Sequence, residues 1–222
     1  MRILLSVLLL TTLSLGTARA DWEADQIADA LQAAPPSVTH NAKIFAWRPD
    51  GTRVLVRDGD GPYTCVASGG NSLRLGKPPL PHPDPRCFDQ NAWAFIEAVW
   101  AESDPLHPTK PLPTAPGLVW MLAGMPVVKG KVSYGKGNVG LVEIAQQSGA
   151  DTEEEEIINM TPHIMILPLP LDHAAAQLPH VYDPSNPTRQ WVMAAGTPLA
   201  HLHVHFTDAV HQALRAVGVE SP

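Results

Sequence analysis

Of the ten histidines in the chain, His201, His203 and His205 alternate with Leu202, Val204 and Phe206. Successive side chains of a strand point to opposite faces, so three imidazoles would share one face and three apolar residues the other. Neutral imidazole is the commonest metal ligand of proteins, and zinc holds each nitrogen at about 2.0–2.1 Å. Strand geometry limits which rings can share an ion. Residues two apart are separated by about 6.6 Å, which leaning rings can bridge, whereas positions 201 and 205 lie about 13 Å apart. A site therefore needs an adjacent pair and a ligand from another element. His163 opens the apolar segment His163 to Leu167, and Met160 and Met165 lie close to it. The expected metal ligands are His163, His201 and His203, holding copper or zinc, and the methionines suit copper better. Two other readings compete. The histidines would line the wet face of a half-exposed strand, or one would act as a general base in a cleft.

Other chemical patterns carry less. There is no G-x-S-x-G elbow, H-E-x-x-H helix or P-loop. Gly135 to Gly140 spells G-x-G-x-x-G, but its flanks read as loop and strand rather than the strand and helix that a dinucleotide site requires. Asp151 to Glu156 has five acids in six positions. A contiguous run turns its carboxylates in different directions and lacks the glycine bend of a calcium loop, so it reads as a solvated loop.

Short elements must position the histidines. Asp21 can cap a helix through Gln32 that Pro35-Pro36 would stop, and Asp89 a second helix to about Glu102. Strand segments at 42–47, 53–57 and 63–66, separated by Pro49-Asp50-Gly51 and by Asp58 to Pro62, read as an antiparallel meander. Residues 68–85 read as a long loop. Later strands are expected at 118–123, 139–145, 163–167, 191–195 and 201–206. Thr207 then caps a last helix through Val217.

The N-terminus has the form of a signal peptide. Arg2 precedes an apolar run from Ile3 to Leu15, and Ala18-Arg19-Ala20 suits a signal peptidase. Cleavage would leave residues 21–222 with 13 basic and 22 acidic residues, a formal charge of −9 against −7 for the whole chain. That balance speaks against nucleic acid as a partner, and no other stretch is long and apolar enough for membrane insertion. Export places Cys65 and Cys87, the sole cysteines, in an oxidising compartment where they are expected to pair. The 23 prolines are about twice average usage and predict short elements and irregular connections.

Several segments together resemble one family. They are Thr64-Cys65, Asp84-Pro85-Arg86-Cys87-Phe88-Asp89, Pro162-His163-Ile164-Met165 and Gln190 to Leu202, the last with Gly196-Thr197-Pro198-Leu199-Ala200-His201-Leu202. They are similar to a widespread group of small exported bacterial proteins without an assigned activity. The resemblance covers roughly Gly51 to Leu202 and implies His163 and His201, with Met165 and Met193, as the shared positions. Thr161 stands where a glycine is usual and Leu199 where an aromatic residue is usual. His203-Val204-His205 replaces an apolar run, and the helix after Thr207 is additional.

The chain is thus expected to form a single α+β domain after residue 20, an antiparallel sheet flanked by two or three helices, with a proline-rich loop tied by Cys65–Cys87. The expected function is transition-metal binding in the periplasm or outside the cell. The alternatives are an envelope hydrolase with a histidine base and a non-catalytic envelope interaction module.

Overall fold

A computed structural model describes residues 14–74, 76, 78–79, 82–128, 140–141, 157–169, 176–180, 182–183 and 185–216. Most of the expected leader, the acidic run 151–156 and all but the last residue of the G-x-G-x-x-G segment lie outside them.

The dominant element is an eight-stranded sheet. In chain order its strands are β1 (Lys43–Trp47), β2 (Arg53–Arg57), β3 (Thr64–Val66), β4 (Arg86–Phe88), β5 (Gly117–Met121), β9 (His163–Leu167), β10 (Trp191–Met193) and β11 (His201–His205). A separate three-stranded sheet comprises β6 (Met125–Val128), β7 (Gly140–Leu141) and β8 (Ile157–Met160). The large sheet runs β10-β11-β9-β5-β4-β3-β1-β2, and every pair except β1–β3 is antiparallel. An α+β class holds, with a larger sheet than expected. Three strands, β4, β6 and β8, have no counterpart among the strands expected from the sequence.

The expected meander of the first three strands is corrected. β2 returns antiparallel on one side of β1, but β3 lies parallel on the other side. The connection between them hugs the chain ahead of β1, where the Gly61 amide donates to the Asn41 carbonyl at 2.8 Å. A Cβ on Gly59 would lie 2.3 Å from that same carbonyl oxygen, so only glycine permits the approach.

Helices cover both faces. α1 (Ser14–Ala30) continues into a 3-10 turn at Leu31–Ala33, beginning earlier than the expected cap at Asp21. Ala30, Ala33 and Ala34 pack with Ile44, Ala46, Cys65 and Cys87, followed by the short α2 (Pro36–Thr39). Cys65 and Cys87 are directly opposite one another on β3 and β4 and form a disulfide. The stretch 68–85, expected as loop, contains one helical turn, α3 (Gly70–Leu73).

α4 (Gln90–Ala101) packs on the opposite face. One Asp89 carboxylate oxygen accepts from the Ala92 amide and the other from the Leu118 amide, both at 2.8 Å. The cap therefore ties the helix start to β5. Phe95 and Val99 join Val119, Met121, Met165, Leu167, Trp191 and Met193 in one apolar cluster. This packing decides which face of β9 and β11 is inside. α5 (Asp208–Ala216) follows β11 and buries none of its residues.

Candidate metal centre

The three-strand patch β9-β11-β10 builds the site. After β10, Ala194 and Gly196 adopt positive φ angles of 55° and 79°. The Thr197 hydroxyl donates to the Ala194 carbonyl (2.8 Å), and the Ala200 amide to the Thr197 carbonyl (3.1 Å). This tight connection returns the chain so that Trp191 faces His203 and Met193 faces His201. On its other edge β11 pairs with β9, placing His205 opposite His163 and His203 opposite Met165.

The expected period of two holds, but the wet-face reading does not. His163 and His203 are fully buried and His205 is 5% exposed. The histidine face is the one that α4 and Tyr182 cover. Leu202 and Val204, on the other face, are half-buried.

Among the described residues, ligand atoms of His163, His203 and His205 all lie within 4.8 Å of one another. His163 and His203 were expected in the ligand set, and His205 takes the place anticipated for His201. The His201 ring lies beside that of His203, with centroids 4.9 Å apart, and is partly exposed. Strand spacing alone could not choose between the pairs 201/203 and 203/205. The choice follows from β9 register, which puts His163 across from position 205.

Hydrogen bonds set the tautomers. A carbonyl can only accept, so His163 donates Nδ1–H to Thr161 (2.7 Å) and His201 donates Nδ1–H to Leu199 (2.8 Å). Nε2 of each is left with its lone pair. His205 differs. Its Nε2 accepts from the Trp191 indole N–H at 2.9 Å, so its proton sits on Nδ1, which lies 2.8 Å from the Thr161 hydroxyl. The Thr161 hydroxyl in turn faces the Pro187 carbonyl at 3.4 Å. The His203 ring stacks on Trp191 with centroids 4.5 Å apart, and neither of its nitrogens has a hydrogen-bond partner among the described residues. Nε2 of His163 is likewise buried without one.

Orphaned buried nitrogens are costly, at about 1–3 kcal/mol each, and call for an explanation. Three neutral imidazoles facing each other fit a transition metal as donor set and spacing. An imidazole held through its far N–H by a backbone carbonyl, as His163 is, matches the usual support of a metal ligand. Electrostatics point the same way. Burial, reinforced by the neighbouring His205, lowers the His163 pKa to about 3. Burial lowers those of His201 and His205 to about 4 and that of His203 well below 6.5. All four rings are neutral near pH 7, with no proton for a metal to displace from the lone pairs.

The surroundings include a second buried polar group. Arg86 pairs with Asp84, which also accepts from the Gly69 amide at 2.6 Å. Burial raises the Asp84 pKa against the lowering effect of Arg86. Thr161, Tyr182, Trp191 and Arg86 were not among the expected site residues, because their proximity comes from strands and loops far apart in the chain.

The chain matches no protein-family model, no curated protein and no solved structure.

Proposed function

We propose that the protein is an exported transition-metal-binding protein whose ligands are His163, His203 and His205, with His201 beside them. The single observation carrying this reading is the set of unpartnered, buried nitrogens on His163 and His203 facing each other and His205. Neutral histidines without a bound ion would leave that desolvation uncompensated. The histidine-base alternative is weaker, because a general base works best with a pKa near the operating pH. His163, His201 and His205 sit at about 3 to 4. The interaction-module alternative lacks a contiguous apolar patch among the described residues, since the exposed large hydrophobics are Leu55 on β2 and Val210 on α5.

Export is supported by the Cys65–Cys87 disulfide and by the leader-like N-terminus. Among the described residues no helix is long and apolar enough to cross a membrane. Of the four segments that carry the family resemblance, Pro162 to Met165 and Gln190 to Leu202 fall on β9, β10 and the start of β11, whereas the other two fall on β3 and β4.

Isothermal titration of the folded chain with Zn(II), Cu(II) and, without oxygen, Cu(I) tests the metal reading. The expected result is saturable binding at one ion per chain. His163→Gln and His203→Gln should weaken it about a hundredfold or more, and His201→Gln less than about fivefold. The absence of any binding tighter than millimolar in the wild type would falsify it. Expression with periplasmic fractionation and N-terminal sequencing tests export, and a cytoplasmic product beginning at Met1 would overturn that part.

A further inference from the structure

We propose that the ion this site is built for is Cu(I), with the Met165 thioether as the fourth ligand beside His163, His203 and His205. The inference rests on the metal-binding reading above and goes further by assigning oxidation state and a sulfur ligand.

The first support is the distribution of methionine. The chain has six, and the five after the initiator are Met121, Met125, Met160, Met165 and Met193. All five are buried in the same apolar cluster, alongside the site. Three are direct cross-strand neighbours of a site histidine on the same sheet face. Met121 faces His163, Met165 faces His203, and Met193 faces His201. Met165 is the best placed, because it stands opposite His203 and also two residues along β9 from His163. Thioether sulfur is a soft neutral donor that favours Cu(I), whereas zinc sites are made of thiolate, imidazole and carboxylate.

The second support is charge. Among the described residues the ligand cluster contains no carboxylate. The buried carboxylate of Asp84 is engaged by Arg86 and by the Gly69 amide. An ion held by imidazole and thioether alone keeps its full charge in a desolvated site, and the solvation cost rises with the square of that charge. A divalent ion would therefore meet a fourfold larger desolvation term than a monovalent one.

The test is anaerobic competition of Cu(I) between the protein and bicinchoninate, with Zn(II) titrated in parallel and copper-edge X-ray absorption on the loaded protein. Cu(I) should bind about a hundredfold or more tighter than Zn(II), with sulfur in the copper shell. Met165→Leu should lose that sulfur signal and about tenfold or more in Cu(I) affinity while leaving the Zn(II) affinity within about threefold. Met193→Leu is the matched control, expected to retain both sulfur and affinity, and circular dichroism checks that each variant folds. Zn(II) binding as tight as Cu(I), or a nitrogen-only copper shell in the wild type, would overturn this inference and leave the histidine site standing. Binding of neither ion would overturn both.

Discussion

Trp191 donates its indole N–H to Nε2 of His205 across the β10–β11 pair at 2.9 Å. His205 thus differs from His163 and His203, because both its nitrogens are engaged, the other by Thr161. In the proposed site an arriving ion would have to displace one of these two partners. Trp191→Phe keeps a ring against His203 and removes the donor. The unloaded variant should lose about 1–3 kcal/mol, the range for stranding a buried polar atom. Its metal affinity should rise about tenfold, since the ion now fills an otherwise unpaired nitrogen. If Thr161→Val shows the gain and Trp191→Phe does not, the ion sits on Nδ1. Weaker binding in both variants would sink the displacement argument.

His203 offers a test with the opposite sign for stability and binding. Both its ring nitrogens are buried without partners, so His203→Leu removes two desolvated polar atoms while filling similar space. Urea unfolding without metal should show the variant more stable by about 1–3 kcal/mol. Metal binding should be lost. A variant destabilised by more than about 1 kcal/mol would mean that the ring is satisfied in some other way.

The buried histidines also set an acid limit. Unfolded imidazoles take up protons near pH 6.5, whereas His163 resists until about 3 and His201 and His205 until about 4. Between those values the unfolded chain binds more protons, so stability rises with pH. It should be constant above about pH 7 as far as these groups are concerned, and fall as pH drops through 6.5. Each tenfold difference in a ring's proton affinity is worth about 1.4 kcal/mol. Asp84, raised by burial, contributes the opposite slope above 3.8. The histidine contribution is therefore read as the difference between wild type and His163→Gln in urea midpoints from pH 7.5 to 4.5. Parallel curves would contradict it.

The disulfide should matter for stability and not for the metal. Cys65 and Cys87 close a loop with a sequence separation of 22 and face α1, away from the histidines. Replacing both by alanine should lower stability by about 3 kcal/mol in the chain-entropy picture. Metal affinity should stay within about threefold at temperatures where the variant is folded. A hundredfold loss would instead join the clasp to the site.

Much of the local structure is legible in the residues. The period-two alternation of His201, His203 and His205, the bounds of His163–Leu167 and the Asp89 cap follow from short-range rules, and the Cys65–Cys87 pairing from there being two cysteines in all. The missed parts share one cause. That His205 rather than His201 clusters with His163 and His203 depends on the register of β11 against β9, two strands separated by more than thirty residues. The parallel placement of β3 depends on a loop passing close over Asn41. Which face of the histidine strand is dry depends on where α4 lands. Alternation divides a strand into two faces but does not say which one is covered, because both faces of this sheet carry apolar residues. Spacing by itself determined that imidazoles would share a face and that a partner must come from another strand. Tertiary packing alone decided that the face is buried and that His163 meets positions 203 and 205, since burial and cross-strand distance are properties of segments that local sequence does not bring together.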